Sequence, residues 1–247
     1  MFSFDRSSIS RGLAALVDFF LPRFCPLCGK PPPLAEIEPA RCPDCEAKIV
    51  WVTSPICPCC GKIFAAREGT NHLCGPCQKE PPPFARARAA LVYEGPGAEA
   101  IKKFKYARRL DLLPLLQAWL RTPDCRELVD AAELLVPVPL HTRRLQERGF
   151  NQALLLAQAF PGKPLIKGAL VRVRYTRPQS GLNPKERREN VRQAFAVARP
   201  QEIKGRRLLV VDDVYTTGAT VRECARVLLK AGAKEVSVLT VARVRHE

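Results

Sequence analysis

Short apolar runs alternate with amphipathic stretches along most of the chain. Arg86 to Tyr93 alternates enough to predict a strand, Gly95-Pro96-Gly97 breaks it, and Ala98 to Arg109 follows as a basic helical stretch. Leu134 to Val138 is a short apolar strand ended by Pro139, and Asn151 to Phe160 reads as a helix stopped near Gly162. Leu170 to Arg174 and Phe195 to Val197 are weaker strand candidates. Leu208 to Val211 is apolar at every position, as in a parallel strand buried on both faces. The stripe Val221, Cys224, Ala225, Leu228, Leu229 then predicts a helix with one buried side, and Val236 to Val241 a last strand. Strands alternating with helices at short intervals predict an α/β domain with an open, mostly parallel sheet covered on both faces. Upstream, Leu13, Leu16, Val17, Phe20 and Leu21 recur at helical spacing, so residues 1–24 are read as an N-terminal amphipathic helix.

Between these regions lies a repeat. Cys25-Pro-Leu-Cys28-Gly29 returns as Cys57-Pro-Cys59-Cys60-Gly61, and Cys42-x-x-Cys45 returns at the same offset as Cys74-x-x-Cys77. The interval from Cys28 to Cys42 therefore equals that from Cys60 to Cys74. A CxxC turn delivers two thiolates from one knuckle and a second pair closes a tetrahedron, so residues 25–80 predict a double module with two structural Zn²⁺ sites. Gly29 and Gly61 follow their knuckles, where a residue without Cβ lets the backbone N–H groups turn toward sulfur. Cys59 and His72 are spare by this count, although His72 offers a Cys₃His alternative. Spacing leaves open whether the eight ligands pair in chain order or cross between copies. The run Glu80-Pro81-Pro82-Pro83 reads as a stiff spacer, and residues 84–247 as the α/β domain.

Composition narrows the setting. Eight of 11 cysteines lie in the CxxC pairs, which suits a reducing cytoplasmic location better than a disulfide framework. Gly12 to Leu21 is too short to span a bilayer and is interrupted by Asp18, so no transmembrane segment is expected. The net charge of +16 attracts phosphates, whether on a nucleotide, a nucleic acid or an anionic membrane. An aromatic content of 7% leaves few stacking platforms for a single-stranded nucleic acid.

Leu208-Leu209-Val210-Val211-Asp212-Asp213-Val214-Tyr215-Thr216-Thr217-Gly218-Ala219-Thr220 narrows it further. An apolar strand ends in two carboxylates, then turns through hydroxyl residues and a glycine into a helix. Thr220 and Glu223 have capping-box spacing, which predicts the helix start at Thr220. Backbone N–H groups and the positive helix end then converge on Thr216, Thr217, Gly218, Ala219 and Thr220, an anion site. Arg143, Arg144 and Arg148 follow the first core strand and either meet a bound anion or form a solvated basic loop. Asn183-Pro184-x-Glu186 opens a helix carrying Arg187, Arg188 and Arg192.

The apolar run, acidic pair and Thr-Thr-Gly turn resemble the signature of the type I phosphoribosyltransferases. That resemblance implies that Asp212 and Asp213 bind the ribose hydroxyls of 5-phosphoribosyl-1-pyrophosphate, facing the ligand crevice. It further implies that Thr216 to Thr220 hold the 5′-phosphate and that Mg²⁺ bridges ribose and pyrophosphate, with Arg143, Arg144, Arg148 and Arg187 as pyrophosphate or loop candidates. Val136-Pro137-Val138-Pro139-Leu140-His141, Arg148-Gly149-Phe150-Asn151-Gln152 and Thr176-Arg177-Pro178-Gln179-x-x-Leu182, with the doubled CPxCG modules, look like the ComF family. Membership implies a Rossmann-like type I phosphoribosyltransferase domain behind a double zinc ribbon, acting in DNA uptake, natural transformation or DNA utilisation. Single-stranded DNA and DNA-uptake proteins would be partners. An active transferase of nucleotide salvage and a non-catalytic, DNA-binding regulator are the alternatives, and no segment names an acceptor.

Overall fold

The computed structural model describes residues 24–31, 42–66, 68–176 and 183–245. The predicted N-terminal helix and the positions from Arg177 to Leu182 lie outside the described residues. The chain forms two compact units, Met1–Lys48 and Ile49–Glu247. The division falls between the two cysteine modules rather than at the proline run, because the second module shares a core with the α/β domain.

The strands of the larger unit are β1 (Ala87–Val92), β2 (Leu134–Pro137), β3 (Leu170–Arg172), β4 (Phe195–Val197), β5 (Arg207–Tyr215) and β6 (Glu235–Arg243). Its longer helices are α1 (Gly95–Tyr106), α2 (Leu113–Trp119), α3 (Pro123–Ala131), α4 (Thr142–Arg148), α5 (Gln152–Ala157), α6 (Pro184–Val191) and α7 (Ala219–Lys230). A four-stranded parallel sheet runs in the order β1-β6-β5-β2. The consecutive β5 residues Leu208 to Asp213 are all buried. Since successive side chains face opposite ways, both faces of the sheet are covered. The two weaker strand candidates pair with each other, antiparallel, outside this sheet.

Some boundaries differ from the sequence pattern. Gly95-Pro96-Gly97 forms the first turn of α1, with its proline where no intrahelical N–H is required. Strand β5 continues through both aspartates to Tyr215. Asn183 and Glu186 form the expected capping box of α6, with Asn183 Oδ1 accepting from the Lys185 and Glu186 N–H groups at 3.0 Å each.

Candidate phosphate-binding site and four-cysteine centres

Each cysteine module gathers its own four thiols: Cys25, Cys28, Cys42 and Cys45 form one set and Cys57, Cys60, Cys74 and Cys77 the other, with the sulfurs of each within 4.8 Å of one another. The ligands therefore pair in chain order. The Cys28–Cys42 and Cys60–Cys74 sulfur separations of 3.5 and 3.6 Å fit the edge of a zinc–thiolate tetrahedron, about 3.8 Å for Zn–S bonds of about 2.3 Å. Neither Cys59 nor His72 belongs to a set; His72 stacks on Phe64 at 4.0 Å. Burial pushes the Cys25 and Cys57 thiols up, but backbone N–H donors outweigh it and hold each at about 7, favouring thiolate.

The second module is built into the sheet. The Ala87 N–H donates to the Cys59 carbonyl at 2.7 Å, and the Val52 N–H to the Ala90 carbonyl at 2.9 Å. Residues 50–52 and the second knuckle thus satisfy backbone groups along the outer edge of β1.

At the carboxyl end of β5, Asp212 and Asp213 line a cavity of about 310 Å³ with Thr216, Gly218, Ala219 and Thr220. Both acids reach the cavity, yet they are only 8% and 3% exposed. Each carboxylate accepts the next backbone N–H, Asp212 from Asp213 at 2.9 Å and Asp213 from Val214 at 2.7 Å. Burial raises Asp212 to about 6, against the pull of Lys105, Arg172 and Arg148. The Lys105 ammonium forms an ion pair with Asp213, and burial lowers it to about 8 despite the field of Asp212.

Helix α7 starts two residues earlier than its capping-box spacing predicts. Gly218, at φ 75°, is the N-cap, and Thr220 is already helical. The Glu223 carboxylate does not reach back to Thr220. It accepts the Gln193 N–H at 2.8 Å and pairs with Arg226 at 2.7 Å, partners supplied by another segment and by the next helical turn. The amino end of α7 still faces the cavity, as an anion site requires. Thr217 is not among the lining residues; its hydroxyl accepts the Ala219 N–H at 3.4 Å.

Arg144, Arg148 and Arg187 line the same cavity. Arg143 does not, and its guanidinium lies 5.4 Å from the Tyr175 ring centre. Arg148 donates to Gln152 at 2.6 Å and Arg144 to the Thr176 carbonyl at 3.2 Å, so both are held in place. The cavity also draws in Lys105, Tyr106 and Arg172, none of which stood out in the sequence. Lys105 was one cation in a generally basic helical stretch, and Arg172 one in a weak strand; only folding brings them to the acids.

Residues 16–78 match the double zinc ribbon domain model and residues 146–247 the phosphoribosyl transferase domain model. Lys105 and Tyr106 fall between the two matched regions. The chain is 33% identical to "Competence protein F" of Haemophilus influenzae, covering 82% of this chain and 96% of that protein. It is 34% identical to "DNA utilization protein YhgH" of Escherichia coli (strain K12), covering 90% and 98%. With "Competence protein ComFC" of Bacillus subtilis (strain 168) it shares 28% identity over 82% of this chain and 83% of that protein.

Proposed function

The chain belongs to the ComF family of competence and DNA-utilisation proteins, and from that premise we propose that its strand-end cavity binds 5-phosphoribosyl-1-pyrophosphate with Mg²⁺ in the handling of DNA taken up by the cell. One observation carries this reading: Asp212, Asp213 and the amino end of α7 share one cavity with Arg144, Arg148 and Arg187. Asp212 and Asp213 accept the ribose hydroxyls, the turn from Thr216 to Thr220 holds the 5′-phosphate, and the arginines face the pyrophosphate with forked donors. The carboxylate and hydroxyl oxygens of the strand end suit Mg²⁺, which when bound neutralises pyrophosphate charge. Free thiols at all eight ligand positions agree with a place in the reducing cytoplasm.

Isothermal titration of 5-phosphoribosyl-1-pyrophosphate with Mg²⁺ tests this. Asp212→Asn leaves the Lys105–Asp213 ion pair intact and removes one charge-assisted acceptor, so affinity should fall about tenfold or more. Affinity of the wild type should also fall as pH drops through about 6, where Asp212 takes up a proton. Unchanged affinity in the variant would refute the assignment. Pyrophosphate release with a panel of nucleobases separates a transferase from a ligand-binding regulator.

A second reading, single-stranded DNA at the cavity rim, is favoured by two exposed tyrosines. Tyr106 is 70% exposed with Arg148 at 5.6 Å from its ring centre, and Tyr175 is 40% exposed between Arg143 and Arg144. Such pairs stack bases and meet phosphates. Binding should weaken steeply with salt, and anisotropy titrations showing none at low salt remove this reading.

A further inference from the structure

We infer that Arg243 is a positioning residue that ties the second four-cysteine centre to the phosphate-binding turn. The inference rests on the reading of that turn given above, and deepens it by naming what holds the turn from behind.

Arg243 ends β6 and is the register partner of Tyr215, which ends β5 immediately before the turn. Both side chains are buried, at 6% and 4% exposure. The guanidinium lies 4.1 Å from the Tyr215 ring centre, a close cation–π contact. From the same position Nη1 donates to the Cys60 carbonyl at 2.6 Å and Nη2 to the Cys60 sulfur at 3.8 Å. The Tyr215 phenol also abuts Gly218, so closely that a Cβ added there would overlap the ring and its hydroxyl. Thus Cys60, Arg243, Tyr215 and Gly218 form one unbroken line of contact.

Charge explains why a guanidinium is held there. Among the described residues Arg243 forms no ion pair with a carboxylate, and a buried charge needs a counter-charge. Four thiolates around one Zn²⁺ leave a centre of net charge about −2, and Arg243 donates to one of its sulfurs. The loaded centre therefore fixes Arg243, Arg243 fixes the Tyr215 ring, and the ring sets the left-handed Gly218 from which α7 begins.

Arg243→Met keeps the aliphatic stem and removes the charge and its donors. In the full-length, zinc-loaded protein, amide hydrogen exchange across residues 216–220 should quicken at least tenfold, while residues 208–211 of β5 exchange as in the wild type. Affinity for ribose 5-phosphate, read by isothermal titration, should fall at least tenfold, and Arg243→Lys should recover part of both effects. Unchanged exchange in the turn of a folded R243M that keeps its zinc overturns the inference. If R243M does not fold, Arg243→Gln, which removes the charge but keeps a donor, carries the test, with wild-type exchange in its turn again overturning the inference. If the wild type itself fails to bind ribose 5-phosphate, the phosphate reading of the turn fails, while the exchange measurement still decides the coupling.

Discussion

Among the described residues, Cys25, Cys42 and Cys45 gather with Leu27 in a small cluster, whereas Cys57, Cys60, Cys74 and Cys77 share one cluster with Val136, Leu208, Val210 and Val238. The two modules have the same ligand spacing and the same glycine after the knuckle. Their surroundings differ. Cys28 is exposed in the first, and all four ligands are buried in the second. An identical cysteine motif thus stands once in a small cluster made, among the described residues, of its own cysteines and Leu27, and once in the wall of an α/β core that ends at a candidate ligand site.

Removing ligands should separate the two modules most strongly. Zinc supplies about 10–16 kcal/mol in isolated modules, against a total stability of about 5–15 kcal/mol for a domain. Cys57→Ser with Cys60→Ser should therefore abolish cooperative unfolding of the Ile49–Glu247 unit. Cys25→Ser with Cys28→Ser should leave that transition within a few degrees of the wild type. Circular dichroism melts with zinc analysis check both, and equal effects break the comparison.

The paired glycines give the next contrast. Both have positive φ, 75° at Gly29 and 71° at Gly61, but a Cβ on Gly61 would come within 2.6 Å of the Ala87 carbonyl oxygen while one on Gly29 would meet nothing within 4 Å. Gly61→Ala should destabilise its unit by about 3 kcal/mol, from left-handed strain plus overpacking. Gly29→Ala should cost its module only about 1 kcal/mol, from the backbone conformation alone. Denaturant titration measures the first and zinc affinity the second.

Chelation sharpens the comparison kinetically. The exposed Cys28 gives a chelator a point of attack, so the first centre should release zinc at least tenfold faster, resolved as two phases in a chromogenic assay. A single phase would argue against unequal surroundings. The smallest effect is expected at Cys59, whose carbonyl rather than its sulfur binds Ala87. Cys59→Ser should keep both zinc ions and change stability by less than about 1 kcal/mol, within the range of mild substitutions. Loss of zinc would make it a ligand.

What the sequence determined alone was local. Two CxxC turns a short, fixed interval apart bring four thiols together whatever lies around them, and an apolar strand running into Asp212-Asp213 and a glycine turn makes a strand-end cavity in a parallel sheet. Tertiary structure decided everything that depends on distant partners. It brought Lys105 of α1 onto Asp213, from the far end of the α/β domain's sequence, and drew Glu223 from its expected cap to the Gln193 N–H and Arg226. It placed Arg243 beside Cys60, and it merged one cysteine module with the α/β core while the other, among the described residues, clusters only with Leu27. Ligand spacing is a property of residues close in the chain, whereas burial and charge pairing belong to segments that meet only when the sheet forms, so neither can be read from a repeat whose two copies have the same spacing.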